Sequence, residues 1–176
     1  GKPDGVVDAY DRYIYGNTDP KAYGGFSTDL SWKGLTLNAV FNYSVGGHRI
    51  SSYYEGLISS TGESYASPDL LDRWTPDNTS AYFPRVMAGT EGYSKFQAGE
   101  TDRYIQNSSY LRLATLTLAY NLPSTLLNRI SMKSARVYFT ASNLFTITGY
   151  KGFDPELGDY NYPPTRSFTV GLNFSF

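Results

Sequence analysis

Residues able to do chemistry are few in this chain, and they form no known reactive pattern. A single histidine, His48, follows Gly46-Gly47, and a lone loop histidine is a poor basis for a metal site or a general base. Cysteine is absent, which removes disulfide frameworks and thiolate metal ligands and is compatible with an oxidising compartment without requiring one. No G-x-S-x-G elbow, H-E-x-x-H helix or Gly-rich phosphate loop with lysine occurs. The expectation is therefore a protein that is not an enzyme and carries no cofactor. The acidic run Asp4-Gly5-Val6-Val7-Asp8-Ala9-Tyr10-Asp11 resembles the later half of a calcium loop. It lacks the upstream acidic residues and the full EF-hand spacing, so it reads as a solvated loop and no metal site is expected.

Binding chemistry is better represented. Tyr53, Tyr54, Tyr65, Trp74, Tyr82, Phe83, Tyr93 and Phe96 are interspersed with Asp, Asn, Glu and Arg. Aromatic faces can stack on sugar rings while amides and carboxylates take hydroxyls. The same mixture suits a protein interface or plain packing of the segment itself. Trp74, Tyr82 and Arg85 are the candidate contacts for ligand or partner, because aromatic and Arg side chains dominate interface energetics. The bland alternative is that Trp74 only packs its own short helix. A further pattern, Asp11-Arg12-Tyr13-Ile14, recurs as Asp102-Arg103-Tyr104-Ile105 ahead of a strand.

Seventeen tyrosines and ten phenylalanines accompany a formal net charge of only −1. No basic surface argues for nucleic acid. No apolar run approaches the roughly 20 residues a membrane helix needs, but a transmembrane barrel has a polar average composition because its two faces alternate.

The elements that must position these residues are strands. Over 167–176, Phe168, Val170, Leu172, Phe174 and Phe176 alternate with Ser167, Thr169, Gly171, Asn173 and Ser175, a strict period of two. Phe26, Thr28, Leu30 and Trp32 likewise oppose Gly25, Ser27, Asp29 and Ser31. Lys33-Gly34 then makes a two-residue hairpin turn. Leu35, Leu37, Ala39, Phe41, Tyr43 and Val45 share the next apolar face, with Val40 the exception on the other. In 110–122, Leu111 and Leu113 fall out of phase with Leu116, Leu118, Tyr120 and Leu122. A β-bulge near Ala114 would restore the phase; equally, the upper part could lie above lipid.

Five strands are predicted, at about 22–32, 35–45, 109–122, 134–143 and 166–176, with loops at about 1–21, 46–108 and 144–165. Their links run short, very long, short, long. Bacterial barrels sort short periplasmic turns from long external loops in this way. The first long loop is too long to be structureless. In it Ser67 is placed to cap a short helix begun by Pro68, and Thr75-Pro76-Asp77-Asn78 to end it. Ser124 to Arg129 reads as a helical turn. The opening residues read as the inside of a loop, so the chain is expected to be a piece of something larger.

Several stretches resemble the C-terminal end of the SusC/RagA-like TonB-dependent outer-membrane transporters. They are Tyr110-Leu111-Arg112-Leu113 through Leu118-Ala119-Tyr120-Asn121-Leu122-Pro123, and Asn143-Leu144-Phe145-Thr146-Ile147-Thr148-Gly149-Tyr150-Lys151-Gly152-Phe153-Asp154-Pro155-Glu156. With them go Arg73-Trp74-Thr75-Pro76-Asp77-Asn78, Tyr162-Pro163-Pro164-Thr165-Arg166 and the closing Gly171-Leu172-Asn173-Phe174-Ser175-Phe176. The resemblance runs from about Asp11 onward. It implies an all-β fold, an antiparallel meander of about five transmembrane strands from a 22-stranded outer-membrane β-barrel with long extracellular loops. It also implies a Gram-negative outer membrane, import of oligosaccharide or peptide, a SusD-like surface lipoprotein as lid, and TonB acting through a part outside this sequence. The competing reading is a soluble β-sandwich, a carbohydrate-binding or adhesin module with an aromatic ligand face.

Overall fold

A computed structural model describes residues 9–58, 65–86, 102–128, 131–159 and 161–176. Five strands form one antiparallel sheet: β1 (Ala22–Trp32), β2 (Leu35–Val45), β5 (Tyr110–Asn121), β6 (Ser134–Thr148) and β7 (Ser167–Ser175). Each pairs with the next in sequence, in the order β1-β2-β5-β6-β7. A separate ribbon joins β3 (His48–Ile50) to β4 (Ile105–Asn107).

The period-two pattern decides which side chains share a face. Phe26 pairs with Phe41, Leu30 with Leu37, Leu118 with Phe139 and Phe139 with Val170. The Phe26 and Phe41 rings stack at 4.9 Å. On the opposite face Asn38 donates to Asp29 at 2.8 Å, and the Thr117 and Thr140 hydroxyls meet at 3.1 Å. One face is therefore apolar and the other polar across all five strands. The apolar face is bare: Phe168, Val170, Leu172 and Phe174 are 60–72% exposed. Among the described residues no second sheet packs on it, as a β-sandwich would require.

Two local devices hold the register. Lys33 and Gly34 have φ of 46° and 87°, the two positive values of a type I′ turn. A Cβ at Gly34 would also sit 3.0 Å from the Asn121 carbonyl, so glycine is required twice over. The second device is the bulge near Ala114. Thr115 pairs with Val40 and Leu113 with Phe41, leaving Ala114 as the extra residue. On the other side Asn143, with φ of 51°, absorbs the matching irregularity in β6. The slip brings Leu111 and Leu113 onto the apolar face with Leu116 and Leu118.

β6 corrects the expected boundary. It continues to Thr148 rather than ending near 143, because Phe145 and Ile147 resume the alternation beyond the bulge and pair with Leu113 and Leu111. The expected loop at 144–165 is shorter by that much. The expected 46–108 loop also carries regular elements among its described residues. It holds β3, helix α1 (Ser52–Ile58), a 3-10 segment Pro68–Asp72 and β4. Ser67 caps the 3-10 segment, its hydroxyl accepting the Asp69 amide at 3.2 Å. Asn78 closes the following turn on the Thr75 carbonyl at 2.9 Å. Helix α2 (Ser124–Leu127) supplies the expected helical turn at the sheet's other end. The buried apolar core lies in the loop layer, where Ile58, Leu70, Phe83 and Tyr104 cluster with Tyr54 against them. No helix among the described residues is long and apolar enough to cross a membrane, which says nothing of crossing by strands.

Candidate functional site at the loop end of the sheet

Arg112 sits on the polar face of β5 between Asn42 and Thr146. Its neighbours in sequence, Leu111 and Leu113, point the other way. The residue is 6% exposed, and a buried guanidinium must be paired and hydrogen-bonded. Each of its three nitrogens donates: Nε to Thr146 Oγ1 at 3.1 Å, Nη1 to Glu156 at 3.0 Å, Nη2 to Asp154 at 2.6 Å. Its planar end lies 5.1 Å from the Tyr110 ring centre.

Asp154 is itself built into a turn. Its second carboxylate oxygen accepts the Glu156 and Leu157 amides at 2.8 and 2.9 Å, and its carbonyl accepts Gly158 N at 2.9 Å. A short acidic side chain bonding its own backbone ahead is how such turns close. Asp159 then reaches the first loop. It accepts the Ser51 hydroxyl at 2.8 Å and the Tyr53 amide at 3.0 Å, at the start of α1. Ser51, fully buried, caps that helix by accepting the Tyr54 amide at 3.1 Å. Lys151 bonds Asp69 at 2.6 Å, and its amide donates to Gln106 Oε1 at 2.7 Å. The Lys151 ammonium, then the Tyr54 hydroxyl, hold the Asp69 carboxyl below its ordinary range, and Asp69 in turn raises Lys151.

Two cavities flank this turn. One, about 340 Å³, opens at the polar face between Tyr23, Asn42, Ser44, Arg49, Tyr110 and Glu156. The other, about 470 Å³, lies within the loop layer among Tyr54, Asp69, Tyr82, Arg103, Asn107 and Lys151. Carboxylates, amides, cations and aromatic rings line both, a set that can orient a polar ligand by hydrogen bonds and stacking. Among the described residues no group of His, Asp and Glu could hold a metal ion.

Of the sequence candidates, Tyr82 is 59% exposed and lines the second cavity, with the Arg103 guanidinium 4.9 Å from its ring and bonded to its carbonyl. Trp74 is 37% exposed and lies on the adjoining segment, its amide donating to the Phe83 carbonyl at 2.8 Å. Arg85 is exposed two residues beyond Phe83. The structure thus brings Trp74 and Tyr82 onto neighbouring segments, while Trp74 and Arg85 do not line the cavity that Tyr82 does. His48 opens β3 and packs edge-on against Tyr15 at 5.7 Å. The repeated Asp-Arg-Tyr-Ile pattern has a contact after all, the Tyr13 hydroxyl donating to Asp102. Tyr93, Phe96 and most of the acidic run, Asp4 to Asp8, lie outside the described residues. Sequence reasoning missed Arg112, Asp154, Glu156 and Asp159 as a site. The available signal was a charged residue between two leucines of a strand whose other polar residues are uncharged.

No family model matches the chain. It is 33% identical to TonB-dependent receptor P3 of Formosa agariphila over 98% of this chain and 18% of that protein. It is 30% identical to TonB-dependent receptor SusC of Bacteroides thetaiotaomicron, over 98% of this chain and 17% of that protein. A solved structure of the RagAB peptide transporter matches with a TM-score of 0.75 and 34% identity, over 98% of this chain and 20% of that one. The chain belongs to the SusC/RagA-like TonB-dependent receptors. This SusC/RagA-like segment spans less than a fifth of the length of the receptors it matches. The receptors are outer-membrane β-barrel proteins, and an antiparallel meander with one apolar and one polar face is the repeating form of such a wall.

Proposed function

We propose that this chain is the C-terminal wall segment of a 22-stranded outer-membrane importer for oligosaccharides or peptides. The observation that carries this is the similarity to SusC and RagAB along nearly the whole chain, on a sheet whose apolar face is covered by no second sheet among the described residues. In this reading the apolar face meets lipid and the polar face lines the lumen. The turn at Lys33-Gly34 and helix α2 lie on the periplasmic side, and the long loops lie outside the cell. A SusD-like lipoprotein closes over those loops, and TonB acts through a part of the protein beyond this segment. Trp74, Tyr82 and Arg85 contact the lid or the incoming ligand, since loops on a rigid scaffold commonly carry binding.

Deleting 62–92 from the full-length receptor tests this. Cells expressing the variant should keep normal barrel insertion, read from heat-dependent gel mobility. Uptake of labelled oligosaccharides or labelled tryptic peptides should fall. Unchanged uptake of both would reject the loop as a contact surface. Loss of insertion in detergent-free membranes, with recovery of the protein as a soluble monomer, would reject the barrel itself.

A further inference from the structure

We propose that Arg112 is a positioning residue that fastens both long loops to the sheet as one unit, through the turn at 151–159. Arg112 is buried, and its guanidinium takes Asp154 and Glu156 together with Thr146 of the next strand. Three ion pairs occur among the described residues; two are those of Arg112, and the third is Lys151–Asp69. Segment 151–156 has a partner in all three. The wall is thus tied to the second loop, and the second loop to the first.

The order of the ties matters. Asp154 fixes the turn by accepting two amides on one oxygen and Arg112 on the other. That turn carries Asp159 to Ser51 and Tyr53, and it follows Lys151, which reaches Asp69 and Gln106. One guanidinium on the strand therefore sets where the first loop's helix α1 and its 3-10 segment sit. Both cavities share walls with the same segment, through Glu156 in one and Lys151 in the other. Buried ion pairs are weak contributors to net stability but are well suited to fixing register. Removing the cation takes away the ion pair that the buried Asp154 carboxylate makes, which favours opening of the turn to water.

The inference rests on the importer reading only for its uptake arm. Full-length receptor in native outer membranes would carry Arg112→Met, Arg112→Lys or Asp154→Asn, with Arg136→Met as control. Arg136 shares the polar face but lies near the opposite end of the sheet, early in β6. Chymotrypsin suits the readout because the first loop holds Tyr53, Tyr54 and Tyr65. Cleavage within 46–108 should be about tenfold faster or more in Arg112→Met and Asp154→Asn, since cleavage follows the open population. The double variant should be no faster than either single one, and Arg136→Met should match wild type. If Arg112→Met fails to insert, Arg112→Lys decides the matter: it keeps the charge, lacks the three-way fork, and should still loosen the loop. Wild-type cleavage rates in the inserted Arg112 variants would overturn the proposal, as would loosening confined to 149–166. Faster cleavage with normal uptake would keep the latch and remove these loops from import.

Discussion

On the sheet, Phe168, Val170, Leu172 and Phe174 are each at least 60% exposed, whereas in the loop layer Ile58, Leu70, Phe83 and Tyr104 are all at 8% or less. In the sheet every strand pairs with its neighbour, and its buried apolar residues, Ala39, Leu113, Ala119 and Ala141, lie outside the core cluster of the loop layer. The loop layer has little regular structure, yet it holds the buried apolar cluster, the Lys151–Asp69 pair and the two carboxylates that Arg112 of β5 binds. The two regions therefore draw their stability from different sources. Pairing satisfies the backbone between neighbouring strands, while β1 and β7 each keep one open edge, and among the described residues no second sheet covers the apolar face. The loop layer buries one apolar cluster of its own and joins its segments by polar contacts of long sequence separation. Changes to the surroundings should act on the sheet, and changes to named polar side chains on the loops.

The strongest effect should come from the sheet. Val170 pairs with Phe139 on the apolar face and Thr169 with Thr140 on the polar face. Arginine at Val170 should cost about 2–4 kcal/mol if the site lies near the bilayer midplane, and less near either interface. The same change at Thr169 should be much milder. Denaturant midpoints of the full-length receptor refolded into lipid vesicles give both numbers. Equal penalties would mean that the two faces meet the same surroundings, and the proposed barrel orientation would fall.

A smaller effect should stay inside the loop layer. Ser51 caps α1 and bonds Asp159 from a fully buried position. Ser51→Ala should cost about 1 kcal/mol, the usual loss for a serine cap. Hydrogen exchange should quicken over Ser52–Ile58 while exchange in β5 and β6 stays as in wild type. If β5 and β6 loosen too, the two regions are one cooperative unit and the contrast drawn between them is wrong.

How legible these two regions were follows the same division. Strand signals are local. Alternation places β1 and β2, and Lys33-Gly34 marks the turn; the phase slip between Leu113 and Leu116 suits a bulge near Ala114 and an upper part above lipid equally, and the strand pairing shows the bulge. β6 was cut short because Asn143, at positive φ, interrupts a pattern that Phe145 and Ile147 then resume. The Ser67 cap was legible for the same local reason. The loop network was not. Arg112 and Asp154 are 42 residues apart in sequence, Ser51 and Asp159 108 apart, and no periodicity links them. The three-residue strands β3 and β4 are too short to show alternation and are separated by more than fifty residues. What sequence could say about Arg112 was only that a charge stood between two leucines.

The weakest effect is a pH dependence, and it separates the exposed tie of the loop layer from the buried one. Lys151 and Asp69 meet at 2.6 Å with 54% and 36% of their side chains exposed. The bond from Lys151 lowers Asp69, so its share of stability is full above the ordinary carboxylate value of about 3.9 and is lost as pH falls through the lowered folded value. Asp69 raises Lys151. That share is full below about 10.4 and is lost as pH rises through the raised value. Between these limits the pair should be flat with pH, and solvent screening holds it to about 0.2–1 kcal/mol, less at high salt. Protection of the amides of residues 69–72 against exchange, followed in acid at low and high salt, measures it. Asp69→Asn should remove both the acid step and its salt dependence while leaving the Arg112 tie in place. An acid step of equal size in Asp69→Asn would assign it to another group, and the two ties would no longer be distinguishable by exposure.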